Sequence, residues 1–123
     1  MGRKKILLVD DSSTVILMEK MILSKEPYDV VVARDGQEGV EKALAEQPHL
    51  ILMDVMMPRL DGVEACKQLR ARGETSRIPV ILVTTRGESE SEARGRAAGC
   101  SDYVTKPING PELLGKVRAH LGA

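Results

Sequence analysis

The sequence predicts a doubly wound α/β domain from three features: short unbroken apolar runs, helix-period segments between them, and polar residues that close the runs. The runs are Ile6 to Val9, Val30 to Ala33, Leu50 to Met53 and Val80 to Val83, with a weaker one at Tyr103 and Val104. Continuous apolar character, without alternation, marks strands buried on both faces, as in a parallel sheet. Each parallel pairing needs a crossover connection, and the segments between the runs supply it.

The first intervening segment carries an apolar stripe at Val15, Met18 and Ile22, the second at Val40, Ala43 and Leu44, the third at Val63, Cys66 and Leu69. These spacings are those of amphipathic helices. The fourth, about 88–98, is dominated by Ser and Glu, and only its alanines can face inward, so it is expected to be the most loosely held. The last, after Gly110-Pro111, presents Leu113, Leu114, Val117 and Leu121. Proline just inside a helix start needs no N–H there. Five strands and five helices alternate, giving a sheet covered on both faces.

A chain of 123 residues, 42% hydrophobic, is large enough to bury a core of its own, and one domain over 1–123 is expected. Lys plus Arg and Asp plus Glu both number 18, so no basic excess points to a nucleic-acid partner. The basic Arg3-Lys4-Lys5 precedes an apolar run that ends at Asp10, too short for a signal-peptide core. No apolar stretch approaches the roughly 20 residues of a membrane span. Cys66 and Cys100 lack metal-ligand spacing and are expected to be free thiols of a reducing compartment. A cytoplasmic protein is the expectation.

The chemistry is concentrated where the runs end. Val9 is followed by Asp10 and Asp11, Met53 by Asp54, and Val83 by Thr84. In a parallel sheet these positions emerge at one edge, where ligands of doubly wound folds bind. Taken singly, an acid there is a turn residue or a helix cap. Three carboxylates within about 4 to 5 Å repel by about 3 to 4 kcal/mol per pair at an effective dielectric near 20, and a cation must offset this. A few hard oxygen ligands, with room for water and phosphate, suit Mg²⁺. The fifth run leads to Thr105-Lys106-Pro107, placing a lysine at the same edge. Acids, a hydroxyl and a lysine around one crevice make a site where a carboxylate can accept a phosphoryl group.

Leu8-Val9-Asp10-Asp11-Ser12, Leu52-Met53-Asp54-Val55-Met56-Met57-Pro58, Val83-Thr84 and Asp102-Tyr103-Val104-Thr105-Lys106-Pro107 together resemble a response-regulator receiver domain over essentially the whole chain. The resemblance implies the flavodoxin-like strand order 2-1-3-4-5. It implies Asp54 as phosphoacceptor, Asp11, Asp54 and the Met56 backbone carbonyl as Mg²⁺ ligands, and Asp10 acting through water. Thr84 and Lys106 would bind phosphoryl oxygens, with a cis bond between Lys106 and Pro107. Tyr103 would be the switch aromatic, turning inward as Thr84 moves and altering the face of the fourth helix, fifth strand and fifth helix. Gly62 would give backbone freedom ahead of the third helix. Thr85 stands where the family usually has a small residue and is expected to slow donor entry. Met56 and Arg86 would flank the path of the hydrolytic water without serving as bases, implying slow self-dephosphorylation.

The implied donor is a histidine kinase or histidine phosphotransfer protein. With no effector domain after Ala123, output is expected through a downstream protein target unless the chain is a fragment of a longer regulator, and the chain is expected to be a monomer or a phosphorylation-dependent dimer. A phosphohydrolase of the haloacid-dehalogenase type would make Asp10 the nucleophile and require an acid at position 12, where Ser12 stands. A receiver reduced to a docking module would lack acceptor-site residues, and all are present. The chain is thus expected to catalyse only its own phosphorylation and dephosphorylation.

Overall fold

The computed structural model describes residues 3–57, 59–85 and 89–121, with backbone alone at Thr85 and at Ser89, Glu90 and Ser91. Strands β1 (Lys5–Val9), β2 (Asp29–Ala33), β3 (Leu50–Asp54), β4 (Val80–Thr85) and β5 (Asp102–Lys106) alternate with helices α1 (Ser13–Leu23), α2 (Gly36–Glu46), α3 (Gly62–Ala71), α4 (Ser89–Ala97) and α5 (Gly110–Leu121). All strand pairs are parallel, in the order β2-β1-β3-β4-β5. Both the fold class and the strand order agree with expectation.

Strand side chains alternate between the two faces, and the core divides accordingly. Leu7, Val9, Ile51, Met53, Val80 and Leu82 pack with Val40, Ala43, Val63, Cys66 and Leu69 of α2 and α3. Ile6, Leu8, Leu50, Leu52, Ile81 and Val83 pack with Ile16, Leu23, Leu113, Leu114 and Val117 of α1 and α5. Four helices begin on a side-chain cap: Ser12, Asp35, Asp61 and Asn109 accept the N–H of Val15, Glu38, Glu64 and Glu112 respectively. Each such cap contributes about 1 kcal/mol. It also fixes where a strand-end loop turns into its helix.

Three local readings are corrected. The buried stripe of α1 is Ile16, Glu19 and Leu23, whereas Met18 is exposed and Val15 and Ile22 are only half-buried. Val15 to Met18 and Met21 to Leu23 are all apolar, so the segment carries no phase of its own and the sheet selects one. Among the described side chains of α4 and its end the buried positions are Gly95 and the following Ala98, while Ala93 and Ala97 are exposed. A Cβ on Gly95 would lie 2.5 Å from Leu82 Cδ1, which is how α4 comes close to β4. Gly62 has an ordinary negative φ and is needed for space: its Cβ would lie 2.2 Å from the Asp54 carbonyl oxygen.

Candidate functional site

The parallel register assembles the site. Val9 pairs with Met53 and Asp54 with Val83, so Asp10 and Asp54 leave neighbouring strands at the same level. Thr84 pairs with Thr105 and Thr85 with Lys106, bringing the hydroxyl and the lysine to that edge from the other side. Asp10, Asp11 and Asp54 each offer a carboxylate oxygen within 4.8 Å of the others, as the strand-end argument requires. Lys106 Nζ lies 3.3 Å from Asp54 Oδ1 and 4.0 Å from Asp10 Oδ2. The Lys106–Pro107 bond is cis.

Burial sets the electrostatics. Asp10 and Asp54 are almost entirely covered, whereas Asp11 is exposed. Desolvation, then the Asp10 charge, pushes the Asp54 carboxyl up to about 6, against the opposing pull of Lys106 and the Met56 backbone N–H. Burial likewise raises Asp10, although the Ser12 N–H donates to its Oδ1 at 2.9 Å. Asp10 Oδ2 and Thr84 Oγ1 are buried without a hydrogen-bond partner. Orphaned buried oxygens of this kind are uncommon and costly. A hard divalent cation beside Asp10 and an oxyanion beside Thr84 are the groups that would satisfy them, so the donor set fits Mg²⁺ and a phosphoryl group.

Met56 sits at the rim and is 64% exposed. Arg86, Pro58 and the Thr85 side chain lie outside the described residues. Tyr103 is half-buried on β5, its hydroxyl accepting from Arg96 of α4 at 2.9 Å. Cys66 and Cys100 are free, and burial pushes the Cys66 thiol up to about 11, away from nucleophilic chemistry.

Sequence reasoning missed two residues. Glu19 is only 2% exposed, and its Oε1 has no partner. Burial first, then the charge of Asp10, pushes it up to about 8, with Lys106 opposing and Asp54 adding. It lies within the field of the site. The one signal for it was its i+3 spacing from Ile16. Arg96 gave no signal, because its partner lies across the gap between α4 and β5.

Comparisons with known proteins agree with this geometry. A family model described as the response regulator receiver domain matches residues 6–118. The chain is 41% identical over 118 residues to the alkaline phosphatase synthesis transcriptional regulatory protein PhoP of Bacillus subtilis, covering 96% of this chain but only 48% of PhoP, about half its length. Against the protein PilH of Pseudomonas aeruginosa it is 41% identical over 117 residues, covering 95% of this chain and 97% of PilH. Among solved structures, the receiver domain of the P. aeruginosa sensor histidine kinase PA1611 superposes with a TM-score of 0.90 at 30% identity, covering 99% and 100% of the two chains. That domain holds a magnesium ion in its active-site cleft. Among the described residues, no helix is long and apolar enough to cross a membrane.

Proposed function

Because the chain belongs to the response regulator receiver domain family of two-component systems, we propose that it accepts a phosphoryl group from a histidine kinase or histidine phosphotransfer protein onto Asp54. The observation that carries this reading is Asp54 itself: buried at the end of the central strand, 3.3 Å from the Lys106 ammonium and neighboured by the unpartnered hydroxyl of Thr84. Bound Mg²⁺ would supply charge that offsets the acidic cluster and the incoming phosphoryl oxygens, held by Asp11, Asp54 and the Met56 carbonyl with Asp10 acting through water.

The residues divide the work as follows. An Asp54 carboxylate oxygen attacks phosphorus; the bond from phosphorus to the donor imidazole nitrogen breaks, and its electron pair stays on the imidazole. Attack requires the ionised form, and a carboxyl titrating near 6 is largely ionised at neutral pH. Lys106 follows the charge from carboxylate to phosphoryl oxygen without leaving the crevice. The Thr84 hydroxyl donates to another phosphoryl oxygen and satisfies itself by doing so. Moving Thr84 would open room beneath Tyr103, whose inward turn would change the α4-β5-α5 face toward a downstream protein in the cytoplasm.

The test is to incubate the protein with a small phosphodonor, with and without Mg²⁺, and to locate the mass gain by peptide mapping. Labelling should be Mg²⁺-dependent, confined to Asp54 and absent from Asp54→Asn. Label on Asp10 or Asp11 in that variant would favour the phosphohydrolase chemistry instead.

A further inference from the structure

One buried titratable group, Glu19, takes no part in phosphoryl transfer. It faces the sheet from the stripe it shares with Ile16 and Leu23, and its Oε1 is buried without a hydrogen-bond partner. An aliphatic residue would fill the same place without the cost of burying an acid. The packing of α5 sets its neighbours. A Cβ on Gly110 would lie 3.5 Å from Ile22 Cγ1, so the β5–α5 connection lands on the turn of α1 that carries Ile22, and Glu19 stands one turn nearer the strand ends. Lys106 begins that connection, and Glu19 lies in the fields of Asp10, Lys106 and Asp54. The lysine is itself shared, 3.3 Å from Asp54 Oδ1 and 4.0 Å from Asp10 Oδ2. Among the described residues these two are its carboxylate partners.

We infer that Glu19 is a positioning residue for Lys106: a third buried carboxyl that receives the ammonium when Mg²⁺ occupies the acidic cluster. The inference rests on the receiver reading and adds a residue to it. A divalent cation and the ammonium would compete for the same two carboxylates and repel each other across them. A lysine has a flexible four-carbon stem, so its charge can swing while its backbone stays in β5. Glu19 offers an unclaimed oxygen on the buried side of the crevice, and the ammonium can yield to the metal without being expelled into water. While Lys106 sits on Asp54, burial and the Asp10 charge keep Glu19 protonated; an approaching ammonium favours the carboxylate, and the proton leaves to solvent. A phosphoryl group on Asp54 then draws Lys106 forward again, and Glu19 takes a proton back.

The experiment titrates the unphosphorylated protein with Mg²⁺ at pH 7, reading affinity from backbone amide NMR and the lysine from its side-chain NH₃⁺ signals. Glu19→Gln keeps the shape of the side chain and removes its ability to ionise. It should weaken Mg²⁺ about fivefold in the wild-type background and less than about twofold beside Lys106→Met, the non-additivity of a pair that acts together. Glu19→Asp should fall between wild type and Glu19→Gln. With Mg²⁺ bound, the Lys106 NH₃⁺ signal should stay visible in wild type, sheltered from exchange with water, and be lost in Glu19→Gln. That second reading needs no Lys106 variant, so it stands even where Lys106→Met fails to fold. Equal weakening in both Lys106 backgrounds would mean that Glu19 attracts the metal directly, and it overturns the inference. Unchanged affinity in Glu19→Gln, or a Lys106 signal indifferent to Glu19, overturns it as well. Asp54 labelling on the same samples separates the two levels. Labelled Asp54 without the Glu19–Lys106 coupling removes this inference alone, and unlabelled Asp54 in the wild-type protein removes the receiver reading.

Discussion

The two helices that flank β5 are held in opposite ways. Helix α5 buries Leu113, Leu114 and Val117 against the sheet, whereas the described part of α4 buries a glycine and the alanine that follows the helix. One is anchored by large side chains, the other by backbone proximity and ion pairs such as Arg94–Asp61 at 3.5 Å. At about 25 cal/mol per Å² of buried apolar surface, the first arrangement resists displacement and the second tolerates it. The candidate site is built on the rigid strand ends, and in the proposed function the loosely held helix beside it is the element free to report its state.

The largest expected effect sharpens the rigid side of that comparison. Asp11→Ala removes an exposed carboxylate from the acidic cluster without opening the core, so Mg²⁺-dependent labelling of Asp54 should fall by about 100-fold while thermal stability stays near wild type. Undiminished labelling would remove Asp11 from the site. Next comes a stability contrast. Leu113→Ala should cost about 2 to 5 kcal/mol by leaving a cavity under α5. Ala93→Gly on the exposed side of α4 should cost about 1 kcal/mol, through helix propensity alone. Urea unfolding of both variants checks it, and equal costs would break the comparison.

The last effect is a pH dependence centred on Glu19. Its carboxyl titrates near 8 in the folded protein, well above the ordinary glutamate value. The folded state therefore holds a proton that the unfolded state has released, and stability falls as pH rises from about 4.5 to about 8. Asp54, pushed up to about 6, adds to the fall at the lower end. Glu19→Gln should remove the part that persists to pH 8 and stabilise the protein by about 1 to 3 kcal/mol at pH 8.5, since it no longer buries an ionised group. Melting curves between pH 5 and 9 without Mg²⁺ would decide this, and parallel curves for the two proteins would contradict it.

Much of this was legible in the sequence because its signals are local. Unbroken apolar runs announce parallel strands, and Asp10, Asp11, Asp54, Thr84 and Lys106 each follow or close such a run, so one topological assumption gathers them. The phase of α1 was not legible, because a helix apolar on most of its circumference has no preferred face until a sheet is laid against it. That left Leu17, Met18 and Met21 exposed and Glu19 buried, the reverse of what composition suggests. The reason for Gly62 was also hidden: close approach to the Asp54 carbonyl is a property of the packed β3–α3 junction. The bond from Arg96 to Tyr103 needs α4 and β5 in place before either residue can be seen as a partner.

The central claim is that a phosphoryl group on Asp54 is felt at α4 and Tyr103 more than at α5. Amide NMR spectra with and without a small phosphodonor, at constant Mg²⁺, test this most directly. The account predicts shifts extending from the loops around Asp10, Asp54 and Lys106 into residues 89–98 and Tyr103, while Leu113, Leu114 and Val117 remain in place. Shifts confined to those three loops, with α4 and Tyr103 unchanged, would contradict it.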